Sequence, residues 1–448
     1  MQVAHIDVFS VKVPLGGQKI GFFSEPKYFE PSWIPGFRQS EMRMYVLKLT
    51  TDTGISGYSA MPAMGTERFG LGNMLGSYLF GINPLDTKLI NQRIQEFSYI
   101  GMRNGWVEAA FWDIIGKVQQ KPLYAVLGGS GGSVYPYAST GSTYDHSQQK
   151  IREIVKDRQD KGFRGIKLRV KSTDLNKMLD FVGAAREAAG PEMSIMVDAN
   201  QGWPVDIVDE TPKWTLDFAL QFAKGLEQYN IKWLEEPLNK GNFAGLAELT
   251  QNTTTPIAGG EMNSTWPEFK VLFEKKCLRV FQPDAILVGG TYAGGISVTK
   301  WIIDEVKRRN AAGEKITFSP HTWTTGIGFA VGLQLVGLLN PEERSLLEYP
   351  LEGFWEPKMW ASFIKNDIVT PKADGKLTIP DTPGLGIEIN DAILRKFGKR
   401  IYHGDKFSIG LFTLLDRGWK QTMYLKQKKE EQLLRTAQAK FEIPSPPF

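Results

Sequence analysis

Only one cysteine, Cys277, occurs in 448 residues. That excludes an internal disulfide framework and any zinc site built on paired cysteines, and it fits a reducing compartment. Histidine is nearly as scarce, with four in the chain. No long apolar run is present. The least polar stretch, Thr324–Leu339, is shorter than a bilayer span and is interrupted by glycines and Gln334, so it reads as a buried helix. The opening residues MQVAHIDVFS carry no charged segment followed by an apolar one, so no signal peptide is expected. Lys and Arg total 53 against 49 Asp and Glu, a net charge of +4, with no basic cluster interleaved with aromatics. Nucleic acid and membrane are therefore not expected partners. The expectation is a soluble, cytoplasmic protein that acts on a small molecule.

What is present has a clear order. A chain this long suits two domains, or one domain with a cap. The alternating segments VAHIDVFSVKV, MRMYVLKL and GISGYSA predict an antiparallel meander. Between the first two lies Gly16–Glu41, rich in Gly, Pro and aromatics and without a period, as binding loops often are. Residues 73–119 read as helices. The GGSGG at Gly128–Gly132 follows a helix and a proline-containing linker rather than a strand. It matches neither a P-loop nor a dinucleotide fingerprint and reads as a domain junction. From Tyr135 to Glu348, eight short β-rich runs alternate with helical stretches, which predicts a parallel (β/α)₈ TIM barrel. The expected division is 1–134, 135–350 for the barrel, and 351–448 for a returning segment with a charged helical tail.

Three acids each follow a short apolar run: Asp198 in SIMVDAN, Glu235 in IKWLEEP and Glu261 in TPIAGGE. A carboxylate at the end of a buried strand is costly unless compensated. Three in series point to a divalent cation, and hard oxygen ligands favour Mg²⁺ over zinc. In a barrel the C-terminal strand ends carry the chemistry, and each candidate falls at such an end. Strand alternation gives Lys167, Arg169 and Lys171 a shared face of their strand, and likewise Asp198 and Asn200 of theirs. Glu235 and Glu236 must diverge, so only one serves as a ligand, taken here as Glu235. A lone DAN or EE would be a solvated strand end; three acids on consecutive strands are not.

The order of FWDIIGKVQQKPLYAVLGG, IKLRV, MVDANQGW, WLEEP, GGE, FQPDAILVGG, SPHTW, LEYP and DTPGLGIEI resembles the enolase superfamily, in its mandelate racemase-like subgroup. The resemblance covers most of the chain. It implies a modified barrel closed by an α+β capping domain built from both chain ends, and a homo-oligomer. It also implies that Asp198, Glu235 and Glu261 bind Mg²⁺, and that Asp284 orients His321, the acid/base that exchanges the substrate's α-proton. Lys167 matches the first lysine of the family's Lys-x-Lys element, near the substrate carboxylate. The second position is Arg169, which stays protonated and so is expected to orient substrate rather than act as a base. Lys171 is a conceivable substitute that extends toward a loop. Glu348 resembles the glutamate that hydrogen-bonds a substrate carboxylate oxygen, a task that would suit a protonated carboxyl. Asn200 is a substrate-contact candidate, as are Lys19 and Arg38 in the long loop, with Lys27, Tyr28, Trp33 and Phe37; the turn Met61–Arg68 would also cover the pocket. His5, His146 and His403 receive no chemistry. With one competent base, the resemblance implies dehydration of an acid sugar to a 2-keto-3-deoxy acid. Epimerisation or racemisation, lactone cycloisomerisation, and a non-catalytic metal-binding barrel are the alternatives.

Overall fold

A computed structural model describes residues 1–14, 19–20, 23–24, 36, 38, 40–63, 70–101, 103–143, 145–203, 212–351, 363–436 and 439–448. The loop Gly16–Glu41 and the turn Met61–Arg68 lie largely outside these, with Lys27, Tyr28, Trp33, Phe37 and the side chain of Lys19. Arg38 is exposed.

The alternation of the first residues buries Ile6 and Val8 and turns His5 and Asp7 the other way. This strand, Val3–Pro14, pairs antiparallel with Glu41–Thr51, which pairs with Ser56–Ala63. On its other edge it pairs antiparallel with Gly398–Gly404, so both ends of the chain build one four-stranded capping sheet. The helical region resolves into Leu71–Leu79, Thr87–Ile100 and Glu108–Gln119. The last packs closely on the sheet: a Cβ at Gly57 would stand 2.0 Å from the Ala110 carbonyl oxygen. Trp106, Phe111 and Trp112 fill the layer between.

Eight parallel strands form the second sheet. In order of sequence they are Pro136–Ser139, Gly165–Arg169, Ser194–Asp198, Trp233–Glu235, Ile257–Gly259, Val280–Phe281, Thr317–Phe318 and Leu347–Pro350. Each of the first six pairs with its successor, and the eighth returns to pair with the first. The expected barrel is therefore present. Six of its helices start at side-chain caps: Ser147, Asp174, Thr215, Asn242, Thr265 and Thr325 each accept a backbone N–H of the first turn. Thr265 and Glu268 complete a reciprocal capping box. The helix Gly326–Val336 is buried at every residue, as its apolar sequence predicts.

One junction differs. No ladder joins the seventh strand to the eighth. Polar contacts close it instead: Ser319 Oγ donates to the Leu346 carbonyl (3.0 Å), and Thr322 Oγ1 to that of Glu348 (2.8 Å). Inside the barrel, Tyr137, Met196, Trp233, Ala258 and Val280 form a small separate core that floors the strand ends.

Beyond the cap, a helix Lys406–Thr436 breaks its helical geometry at Gly418 (φ 73°). Phe407, Leu411, Leu415, Trp419 and Met423, four apart, are exposed. The last residues come back to the body of the protein. Phe441 meets Trp112 edge-on, and the indoles of Trp301 and Trp266 donate to the carbonyls of Pro444 and Phe448. Among the described residues no helix is long and apolar enough to cross a membrane.

Candidate active site

Register aligns the charged strand ends. Arg169 lies opposite Asp198, and Asp198 opposite Glu235, on the second, third and fourth strands. Lys167, two residues before Arg169, points the same way and is fully buried. Its Nζ stands 2.6 Å from Glu235 Oε1, 2.7 Å from Glu348 Oε1 and 3.5 Å from Asp198 Oδ2. Burial works against a charged lysine, but Glu235 and Glu348 outweigh it and hold the amine well above its ordinary range. Lys167 is the electrostatic hub of the site.

Arg169 donates to Asp198 Oδ2 at 2.7 Å and to Asn200 Oδ1 at 2.9 Å, with its guanidinium over the Trp323 ring. A guanidinium fixed this way is a positioned charge. Asn200, at φ 48°, also donates from its backbone to Asp198 Oδ1 (2.9 Å). Lys171 lies past the strand end; its backbone N–H donates to His146 Nε2 (3.1 Å). His146 itself packs edge-on against Phe181, and burial with the nearby Lys177 keeps its ring below the usual basicity.

The dyad geometry is direct. His321 Nδ1 lies 2.8 Å from Asp284 Oδ2, while Asp284 Oδ1 accepts the Ile286 N–H at 2.7 Å. The other ring nitrogen, Nε2, faces Glu261 Oε2 at 3.5 Å. Burial disfavours charge on this ring, but Glu261, Asp284 and Glu348 outweigh it and raise its pKa to about 10. With Glu261 uncompensated, these carboxylates favour the charged ring.

Glu348 departs from expectation. Burial would raise its pKa, yet Lys167 and His321 bring it down to about 2. Its oxygens accept from Ser139 Oγ, the Trp323 indole and the Thr322 N–H. Its lone pairs are engaged, and Lys167 and His321 favour the carboxylate over the protonated form that would suit the expected task.

The remaining acids are undercompensated. Burial lifts Glu235 to about 7, with Lys167 opposing. Glu261 is raised too, chiefly by burial and against the pull of His321. Glu236, turned at φ 45°, packs on Gly202, where a Cβ would meet its Oε1 at 2.2 Å. Its Oε2 is buried with no hydrogen-bond partner, and burial followed by Glu261 holds its pKa well above the carboxylate range. Six buried acids (Asp198, Glu235, Glu236, Glu261, Asp284 and Glu348) thus surround three cations, Lys167, Arg169 and His321. With all six ionised, three negative charges would be left over in a dry site; burial resists that by raising Glu235, Glu236 and Glu261, and a divalent cation with oxygen preference would relieve it. The donor set fits Mg²⁺ at Asp198, Glu235 and Glu261. Glu235 would first have to loosen its bond to Lys167, and Asp198 its bond to Arg169.

Several polar side chains of the site were not singled out from sequence. Trp203 donates to Glu261 Oε1 (2.8 Å), and Trp233 and Gln282 donate to Glu235 Oε2 (3.0 and 2.8 Å). Each stands inside a motif already quoted: NQGW, KWLEE and FQPD. A rule that buried acids need N–H donors would have found them. Arg38 is exposed, and the side chain of Lys19 lies outside the described residues.

Residues 150–393 match the family model described as enolase C-terminal domain-like, and residues 23–128 match the mandelate racemase/muconate lactonizing enzyme N-terminal domain. The chain is 31% identical over 301 residues to an L-talarate/galactarate dehydratase of Salmonella typhimurium, covering 66% of each protein. It is 30% identical over 297 residues to an arabinonate dehydratase of Saccharolobus solfataricus, covering 65% of this chain and 70% of that one. The fold also matches a 3,6-anhydro-D-galactonate cycloisomerase of Zobellia galactanivorans, with a TM-score of 0.68 and 24% identity over 89% of this chain and all of that one. A racemase of Streptomyces coelicolor with bound magnesium matches with a TM-score of 0.69 and 19% identity, over 89% of this chain and all of that one. With this fold and these strand-end acids, the chain belongs to the mandelate racemase/muconate lactonizing enzyme family of the enolase superfamily.

Proposed function

We propose that this enzyme removes the α-proton of an acid sugar and eliminates its β-hydroxyl, giving a 2-keto-3-deoxy acid. The observation that carries the reading is the pairing of one oriented histidine, His321 on Asp284, with an arginine at the second position of the Lys-x-Arg strand. A single acid/base is enough for elimination, whereas racemisation needs a second one on the opposite face of the substrate. Arginine is held protonated and is a poor candidate for it.

In this reading Nε2 of His321, in its neutral form, takes the α-proton. The electrons of that C–H bond form a C=C bond as the β C–O bond breaks. The resulting imidazolium returns the proton to the departing hydroxyl, which leaves as water, and the enol becomes the ketone. Asp284 keeps the ring aimed throughout, through Nδ1. Lys167 offers its charge to the substrate carboxylate, and Glu348 holds that amine in place. Arg169, held by Asp198 and Asn200 over Trp323, orients the substrate. Mg²⁺ held by Asp198, Glu235 and Glu261 would stabilise the negative charge that builds on the substrate carboxylate. Engaging Glu261 in this way also removes the first support for a charged His321 and favours its neutral form. A positioned base alone contributes only about 10²–10⁴-fold, so electrostatic stabilisation must supply the rest.

The same reading takes residues 135–350 as the catalytic unit, with 1–134 and 351–448 as cap and tail, in a cytoplasmic homo-oligomer whose partner is a small carboxylate rather than nucleic acid or membrane. The exposed apolar residues of the C-terminal helix support self-association. Lactone cycloisomerisation is the second reading, favoured by the cycloisomerases among the relatives, since it uses the same proton removal.

Proton NMR in D₂O with Mg²⁺, across mono- and diacid sugars and their lactones, tests it. Loss of the α-proton with a new 3-deoxy methylene is the expected result. Deuterium entering the α-carbon without elimination would make the enzyme an epimerase, and lactone opening without water loss a cycloisomerase.

A further inference from the structure

The capping sheet, separate from the barrel strands, carries a second histidine–carboxylate cluster. In the first strand His5 and Asp7 share the face opposite the buried Ile6 and Val8. The last strand runs antiparallel to it, with Ile6 facing Gly404 and Asp7 facing His403. The same alternation brings Asp405, just past that strand, level with His5. The result is a rectangle of two histidines and two aspartates from opposite ends of the chain.

Its geometry is that of a metal cradle. His403 Nδ1 is 2.7 Å from Asp7 Oδ1, which fixes the ring and leaves Nε2 as the free nitrogen. Nε2 lies 3.5 Å from Asp405 Oδ2. Two ligand atoms at about 2.0–2.1 Å from a tetrahedral zinc ion stand roughly 3.3–3.4 Å apart, so this pair is already spaced for one. Asp405 Oδ1 is used separately, accepting the Ser408 N–H at 2.7 Å, which leaves Oδ2 for the cluster. The His5 ring stacks on His403 with centroids 5.8 Å apart. Ligand atoms of His5, His403 and Asp405 all lie within 4.8 Å of one another, the one such group among the described residues. Asp7 supplies what metal-binding histidines usually have, a carboxylate on the other ring nitrogen.

We propose that His5, His403 and Asp405 form a site for a zinc-class divalent transition metal, with Asp7 as the positioning residue for His403. Two imidazoles and one carboxylate select Zn²⁺ or Co²⁺ over Mg²⁺, in contrast to the all-oxygen acids of the barrel. The three ligands leave a fourth position for water, and the partial exposure of the cluster gives the ion a path in. Bound there, the metal ties the first strand, the last cap strand and the start of the helix Lys406–Thr436 together. Its ligands lie about four hundred residues apart in sequence and meet only in the folded chain, so the ion binds and stabilises the native state alone.

The test is Zn²⁺ and Co²⁺ titration of the full chain with Mg²⁺ in large excess to occupy the barrel acids, read by calorimetry, Co²⁺ visible absorption and thermal unfolding. The wild type should take up one Zn²⁺ equivalent that His403→Ala and His5→Ala lack, and its Tm should rise with Zn²⁺ where theirs does not. Asp7→Asn keeps every ligand and should weaken binding about 10–100-fold. His5 is exposed, so its substitution leaves the fold intact even if losing the His403–Asp7 bond does not. Equal Zn²⁺ uptake and equal Tm shifts in wild type and His5→Ala would overturn the proposal.

Discussion

Two histidine–aspartate pairs of nearly the same length sit in this molecule: His321–Asp284 at 2.8 Å and His403–Asp7 at 2.7 Å. One lies at the bottom of a dry barrel mouth among five other buried carboxyls and two cations; the other lies on the solvent face of an antiparallel sheet. The pair itself is the same device, a ring held by a carboxylate. Surroundings decide its chemistry. In the barrel, low polarisability makes each charge felt by every other, so the ring, Lys167 and Glu348 are locked into charged states far from their ordinary pKa values. On the sheet, water screens the same groups, and the second ring nitrogen faces Asp405.

Substitutions can break or sharpen this contrast. The largest effect should come from His321→Asn, which keeps the Asp284 contact but cannot shuttle a proton; turnover should fall by at least about 10²–10⁴-fold with little change in Tm. Lys167→Met should be next, since it strands Glu235 and Glu348 without their common counter-ion. Breaking a buried pair costs about 3–5 kcal/mol, read as a lowered denaturation midpoint. Chelation should then expose the electrostatic excess: removing Mg²⁺ should lower Tm in the wild type and do so less in Glu261→Gln, which carries one negative charge fewer.

Glu348→Gln tests the titration. The folded-state pKa of Glu348 lies near 2, below its ordinary 4.5. Its ionisation therefore stabilises the fold above pH 4.5, and that contribution is lost as pH falls toward 2. The Tm gap between wild type and Glu348→Gln should narrow over that range and stay constant above it. At the bottom of the scale, His403→Ala in metal-free protein should cost about 0–1 kcal/mol, as exposed pairs do. A large loss there, without zinc, would erase the contrast.

The barrel was the more legible of the two regions. Its strands announce themselves as short apolar runs, and Asp198, Glu235, Glu261, Asp284 and His321 each stand at or just beyond the end of one. Local sequence carries that information because a strand end is a local event. The charge state of Glu348 is not local. It depends on Lys167 arriving from the second strand and Thr322 from beyond the seventh, neither of which the LEYP segment shows. His5 and His403 were passed over for the same reason: only the antiparallel register of two strands nearly four hundred residues apart makes them neighbours. The reading of Arg169 as a positioned charge rested on its chemistry alone and needed no fold. The segment Gly16–Glu41, legible only as aperiodic, lies largely outside the described residues.

The unladdered junction between the seventh and eighth strands has a consequence for how the barrel holds together. At every other junction, backbone carbonyls and amides do the joining, indifferent to pH and to what is bound. Here closure passes partly through Glu348, whose backbone receives Thr322 Oγ1 and whose carboxylate receives the Thr322 amide and Lys167. The residue that anchors the lysine of the active site is also a clasp of the barrel wall. Occupancy of the site and integrity of the wall are thus one equilibrium, and amide exchange around Thr322 would report on both.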